Sequence, residues 1–228
     1  MGAEMAIKAI IFDFDGTLVN ARLKVREAKD EFIKKLRELG FTLENLDPKT
    51  PSELIMQLLI EKYGISRESL MKVLDECFQP YELEVFEKAE LRQGAREIIV
   101  KLKEKGYRLG IASNNGRMIV RRTLEKLGIL DYFDAIVARG DVDRIKPDGS
   151  SISECIKRLG VKPCEAVYVG DMAMDVVAAR NAGVHVIGVL GGLDSKSSLE
   201  RINPDYLIED LSQVIQAIEA IEKREMTY

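Results

Sequence analysis

The chain has 228 residues, 46% of them hydrophobic, and a formal net charge of −4 with acidic and basic residues interspersed. That is enough for one sizeable core, alone or with a small accessory unit. It excludes a nucleic-acid footprint, because no Lys/Arg stripe is long enough to track a phosphate backbone, and Lys34-Lys35 and Arg121-Arg122 read as solvated helix faces. No apolar run approaches membrane-spanning length and no basic region followed by an apolar stretch opens the chain, so a soluble, cytoplasmic protein with no membrane partner is expected.

The segment Ala6 to Phe12 is nearly all apolar and β-branched, which suits a strand buried on both faces of a parallel sheet. From Asn20 to about Glu90 the pattern is helical throughout. Ala28, Phe32, Leu36 and Leu39 recur at helical spacing before Gly40, and Thr50-Pro51-Ser52-Glu53 reads as a capping box opening a helix that ends near Gly64. Ser66 caps a further helix running toward Pro80. About seventy residues of helix without a strand is too much for a crossover connection, which predicts a helical domain over 20–90 inserted into a core built from 1–19 and 91–228.

Beyond Leu91 helix and strand alternate. Helices are predicted at Ala95 to Lys105, Arg117 to Leu127, Ile152 to Leu159, Val176 to Asn181 and Leu211 to Ile221. Strands are predicted at Arg108 to Ala112, Ala135 to Ala138, Ala166 to Val169, His185 to Leu190 and, as an edge, Tyr206 to Ile208. Repeated βα units with short connections indicate an α/β fold, a Rossmann-like doubly wound parallel sheet.

The chemistry lies in the residues just past each strand. The first strand ends in Asp13-Phe14-Asp15-Gly16-Thr17, the next in Ser113-Asn114, the loop after the third contains Lys146-Pro147, and the fourth ends in Gly170-Asp171 with Asp175 four residues on. Each pattern alone has a plain reading as a turn, a helix cap or a surface lysine. Together they fall on one edge of a parallel sheet, where such folds bind ligands. A phosphate monoester repels an attacking carboxylate, so a site for phosphoryl transfer needs a divalent cation and an ammonium. Asp13, Asp171 and a backbone carbonyl near Asp15 offer hard ligands that favour Mg²⁺, and Lys146 would neutralise phosphoryl oxygens held by Ser113 and Asn114. Asp13 would be the nucleophile and Asp15 the proton donor and acceptor.

These motifs resemble those of the haloacid dehalogenase-like superfamily across essentially the whole chain. Asp13-Phe14-Asp15-Gly16-Thr17 matches its first motif, Ser113 its second, Lys146 its third and Gly170-Asp171-Met172-Ala173-Met174-Asp175 its fourth. The resemblance, strongest to phosphoglycolate phosphatase and β-phosphoglucomutase relatives, implies a Rossmann-like core with a small helical cap inserted after the first motif. It also implies an aspartyl-phosphate route with Asp13 as nucleophile, Asp15 as acid/base and Asp171 as metal ligand. Thr17, Gly170 and Asp175 would support them, with Asp175 orienting Lys146 or the metal's water. One departure is Lys146-Pro147-Asp148-Gly149, where relatives commonly carry a second proline two residues after the first; Gly149 is expected to loosen that loop.

The implied activity is a Mg²⁺-dependent phosphatase acting on a small soluble phosphate ester, as a monomer or homodimer. A phosphosugar mutase on the same fold is the nearest alternative, and a phospho-dependent signalling module without turnover a more distant one. A dehalogenase is disfavoured because halide leaves without needing a proton. Cys77, Cys155 and Cys164 suggest neither disulfides nor zinc, and His185, the only histidine, reads as the first residue of a strand. Lys49 and Phe41 read as an exposed lysine and a packed aromatic, and Gly191-Gly192 as a turn.

Overall fold

The computed structural model describes residues 7–20, 23–44, 46 and 49–225; Ala6, expected to open the first strand, lies outside them, as do residues 1–5, 21, 22, 45, 47, 48 and 226–228 of the segments assigned from sequence. Among the described residues six strands form, β1 (Ala9–Phe12), β2 (Arg108–Gly116), β3 (Ala135–Arg139), β4 (Ala166–Gly170), β5 (His185–Val189) and β6 (Tyr206–Ile208). All pair in parallel in one sheet ordered β3-β2-β1-β4-β5-β6. This is the doubly wound order, and strand succession reverses between β1 and β4.

Alternation along each strand divides the core. Ile10, Phe12, Leu109, Ile111, Val167 and Val169 pack on one face against α4 (Ala95–Glu104), α5 (Arg117–Lys126) and α9 (Val214–Glu225). Ala9, Ile11, Ala112, Tyr168 and Val186 face α6 (Ser150–Leu159), α7 (Ala173–Asn181) and α8 (Lys196–Ile202) on the other. Helix α8 has no counterpart in the sequence reading; Ser195 caps it by accepting from Ser198 N–H. The last helix starts later than expected because Leu211–Gln213 forms a 3₁₀ turn held by Asp210.

Among the described residues three helices occupy the long insertion, α1 (Val25–Glu38), α2 (Ser52–Tyr63) and α3 (Arg67–Lys88). Their own apolar cluster contains Ala28, Phe32, Leu36, Ile55, Met56, Leu59, Leu70, Leu74 and Phe78, together with Ile145 from the loop after β3. Helix α3 runs on through Pro80 instead of stopping near it. The capping box at Thr50-Pro51-Ser52-Glu53 does not form: Pro51 precedes α2 without a side-chain cap, and Glu53 is drawn elsewhere. The insertion leaves and rejoins the core side by side, with Asn20 N–H donating to the Glu90 carbonyl at 2.8 Å and Val19 bridging Leu91.

Candidate active site

Strand β1 makes its last ladder bond through Asp13 N–H, which donates to the Val169 carbonyl at 2.8 Å. Phe14 then buries its ring in the core, so Asp13 and Asp15 on either side of it both reach the wall of one cavity. Gly16 turns the chain at φ +88°, and a Cβ there would lie 2.8 Å from Asp171 Cγ. Only glycine lets the two strand ends approach so closely. Thr17 Oγ1 donates to Asp171 Oδ1 at 2.9 Å.

The other oxygen of Asp171 accepts from Leu193 N–H at 2.6 Å. That amide arrives because Gly192 crosses the carboxylate without a side chain; a Cβ on it would lie 2.5 Å from Asp171 Cγ. Gly191-Gly192 is thus both a turn and a close approach to the site. Gly170 is comparably crowded by Asp175, whose Oδ2 accepts from Met172 N–H at 3.0 Å.

Lys146 is buried, and its Nζ donates to Asp13 Oδ1 at 2.5 Å, Asp175 Oδ1 at 2.6 Å and the Tyr168 hydroxyl at 2.8 Å. Three directed acceptors satisfy the ammonium's three donors. Burial alone would lower its pKa, but the Asp13 and Asp175 carboxylates more than offset this and hold it charged. Tyr168 donates in turn to the Ala112 carbonyl at 2.9 Å. Its phenol is kept protonated by burial and by the nearby acids Asp175, Asp13 and Asp171.

The loop carrying Lys146 is pinned rather than loosened. Asn114 spans the lysine's backbone, accepting from Lys146 N–H at 2.8 Å and donating to its carbonyl at 3.0 Å. Asn181 Nδ2 holds the Pro147 carbonyl at 3.0 Å. Gly149 is needed for packing, since a Cβ there would lie 2.8 Å from Ala182 N at the end of α7. Its expected loosening of the loop is therefore corrected: φ is an ordinary −79° and helix α6 starts directly after it.

Asp13, Asp171 and Asp175 offer carboxylate oxygens within 4.8 Å of one another. Burial pushes Asp13 well above the usual carboxylate range, with Asp175 and Asp171 adding to the rise against the pull of Lys146. Burial and Asp175 push Asp171 up to about 6. The site carries more negative charge than one ammonium balances, and all its acidic donors are hard oxygens. A divalent cation of the Mg²⁺ type fits this set, and a soft-ligand metal does not.

A cavity of about 910 Å³ opens over these groups, between the sheet edge and the helical insertion. Asp13, Asp15, Asn114, Asn115 and Lys146 line its floor, and Arg26, Lys29 and Lys49 face it from the insertion. Asp15 Oδ2 accepts from Leu23 N–H at 3.1 Å, where the insertion begins. Ser113 is buried and its hydroxyl donates to Asn115 Oδ1 at 2.9 Å. Asn115 at the cavity wall escaped the sequence reading, although it directly follows Ser113-Asn114.

Two further groups were missed because their partners are remote in sequence. Arg139, buried at the end of β3, donates to Glu82 Oε2 at 3.2 Å, Asp75 Oδ1 at 2.5 Å and the Asn114 carbonyl at 2.9 Å. Glu82 also accepts from Gly116 N–H at 3.0 Å. Glu53 accepts from Arg67 at 2.7 Å and from Ile145 N–H at 3.1 Å. Cys155 is fully buried, His185 stands at the start of β5 beside Asp205, and Phe41 packs edge-on against Tyr63.

Residues 10–189 match the haloacid dehalogenase-like hydrolase family. Pyrophosphatase PpaX of Bacillus velezensis is 31% identical over 214 residues, 92% of this chain and 95% of that protein. Pyrophosphatase PpaX of Bacillus mycoides is 25% identical, covering 95% and 99%. Among solved structures, a β-phosphoglucomutase from Clostridium difficile superposes with a TM-score of 0.70 at 19% identity over 97% of this chain and all of that one. A predicted phosphoglycolate phosphatase from Haemophilus somnus does so with 0.65 at 23% over 94% and 99%. The chain belongs to the haloacid dehalogenase-like hydrolase family.

Proposed function

We propose that this hydrolase is a Mg²⁺-dependent phosphatase that transfers the phosphoryl group of a small soluble substrate to Asp13 and then to water. The observation that carries the reading is the buried Lys146 ammonium, 2.5 Å from Asp13 Oδ1 at the floor of the cavity. It puts a fixed positive charge where the phosphoryl oxygens of a bound substrate would gather negative charge. Asp13 and Asp171, with a backbone carbonyl near Asp15, would hold Mg²⁺, which would supply further neutralisation of those oxygens, and Asp175 stands within 4.8 Å of the other two acids.

Asp13 attacks phosphorus, the bond to the leaving oxygen breaks, and Asp15 gives that oxygen its proton. Asp15 then takes a proton from the water that attacks the aspartyl phosphate, releasing inorganic phosphate and restoring Asp13. The helical insertion acts as a cap that keeps bulk water from the first step. The pyrophosphatase relatives put pyrophosphate beside phosphate monoesters as a candidate substrate.

The test is phosphate release from a panel containing pyrophosphate, phosphoglycolate and sugar phosphates, with and without Mg²⁺. Wild-type protein should turn over at least one in a Mg²⁺-dependent way. Asp13→Asn should keep its far-UV circular dichroism and lose turnover entirely; Mg²⁺-dependent hydrolysis retained in that variant would refute the assignment.

A further inference from the structure

Glu53 is a buried carboxylate on the insertion that the chemistry above does not use. It stands in the first turn of α2, held at Oε1 by Arg67 Nη1 at 2.7 Å, while its Oε2 accepts the N–H of Ile145 at 3.1 Å. Ile145 directly precedes Lys146. Its side chain is also buried in the insertion's apolar cluster rather than in the core beneath it. The residue before the lysine is thus gripped twice by the cap, once through its backbone and once through its side chain.

The same Arg67 nitrogen also donates to the Asp143 carbonyl at 3.3 Å, so a second point of this loop is tied to the cap. Burying a carboxylate is costly unless its acceptors are used. Here one oxygen pairs with Arg67 inside the insertion and the other fixes the loop through the Ile145 amide. The loop's other support comes from the core, where Asn114 brackets Lys146.

We propose that Glu53 is a positioning residue for Lys146: seating of the cap sets the lysine through the Ile145 amide, so that the ammonium is correctly placed only when the cap is docked. This rests on the reading of Lys146 as the phosphoryl-neutralising group. Misplacement of such a group by about an ångström costs on the order of a hundredfold in rate.

The experiment compares kcat and KM on p-nitrophenyl phosphate with Mg²⁺ for Glu53→Met and Glu53→Gln, each in wild-type and Lys146→Ala backgrounds. Methionine fills the space but accepts no hydrogen bond; glutamine keeps the acceptor. Glu53→Met should lower kcat by about tenfold or more with KM changed less than about twofold, and Glu53→Gln should restore most of the loss. In the Lys146→Ala background the Glu53→Met effect should vanish, because the group through which it acts is gone. Arg67→Met, which leaves Glu53 unanchored, should show a smaller fall of the same kind and substitutes for Glu53→Met if that variant does not fold. A kcat within about twofold of wild type in Glu53→Met (or in Arg67→Met where it substitutes), or a loss that persists undiminished in the Lys146→Ala background, overturns the inference. Full turnover by Lys146→Ala alone instead refutes the reading of Lys146 beneath it, and the inference falls with it.

Discussion

Burial and the neighbouring Asp175 carboxylate push the pKa of the Asp171 carboxyl from 3.8 up to about 6. Between those two values the folded chain binds a proton that the unfolded chain has released, so folding stability falls as pH rises through this window. Below it the carboxyl is neutral in both states and the cost is absent; above it the cost is complete. In a chelator, Asp171→Asn should therefore gain stability relative to wild type as pH is raised from about 4 to about 7, read from urea midpoints at each pH. A flat difference across that range would show that the burial of Asp171 is already compensated without a cation. At this scale the gathering of Asp13, Asp171 and Asp175 was legible in the sequence because carboxylates at strand ends stand out against apolar runs. Asn114 was legible as a site residue, but its grip on the Lys146 backbone was not, since that contact spans 32 residues.

Among the elements, α3 and the end of β3 are joined by charges that neither could bury alone. Arg139 and Glu82 are each 2% exposed at the side chain and lie 3.0 Å apart. Removing one partner strands a buried charge, which typically costs about 3–5 kcal/mol. Arg139→Met should thus be strongly destabilising, whereas Arg139→Met combined with Glu82→Met should recover much of the loss in thermal or urea unfolding. Independent, additive losses would show that the pair is not coupled. Helix and strand positions were readable from periodicity almost throughout, since apolar spacing and glycine stops mark them. Two elements escaped for physical reasons. Helix α8 is only 7 residues long and buries a single leucine, Leu199, so it leaves little periodic signal. The capping box at Thr50 gave way because Glu53 finds a stronger partner in Arg67 and a tertiary amide in Ile145 than in its own helix end.

For the molecule as a whole, the sheet order puts β1 and β4 side by side at the reversal of strand succession, and Asp13 and Asp171 are the residues just beyond them. A cation bound there ties together strands whose sequence positions are far apart, so it should stabilise the whole fold by mass action. At a concentration about a hundred times its dissociation constant the gain is about 2.7 kcal/mol, enough to raise the thermal midpoint by several degrees. Mg²⁺ should produce this rise in wild-type protein and not in Asp171→Asn, as followed by differential scanning calorimetry. The parallel sheet was legible from strands alternating with helices. The seating of the insertion was not, because it depends on Glu53, Arg67, Arg139 and Glu82 finding partners on the other side of the cavity.

The paired strands of chain at Asn20 and Glu90 give this arrangement an architectural freedom. Because the insertion departs and returns through adjacent backbone, its helices can be lengthened, shortened or exchanged for another module while the register of β1 against β2 and β4 stays as it is. The cavity-lining residues of the insertion and the acids at the strand ends thereby lie in separate stretches of polypeptide, joined across the cavity by Glu53, Arg67, Arg139 and Glu82.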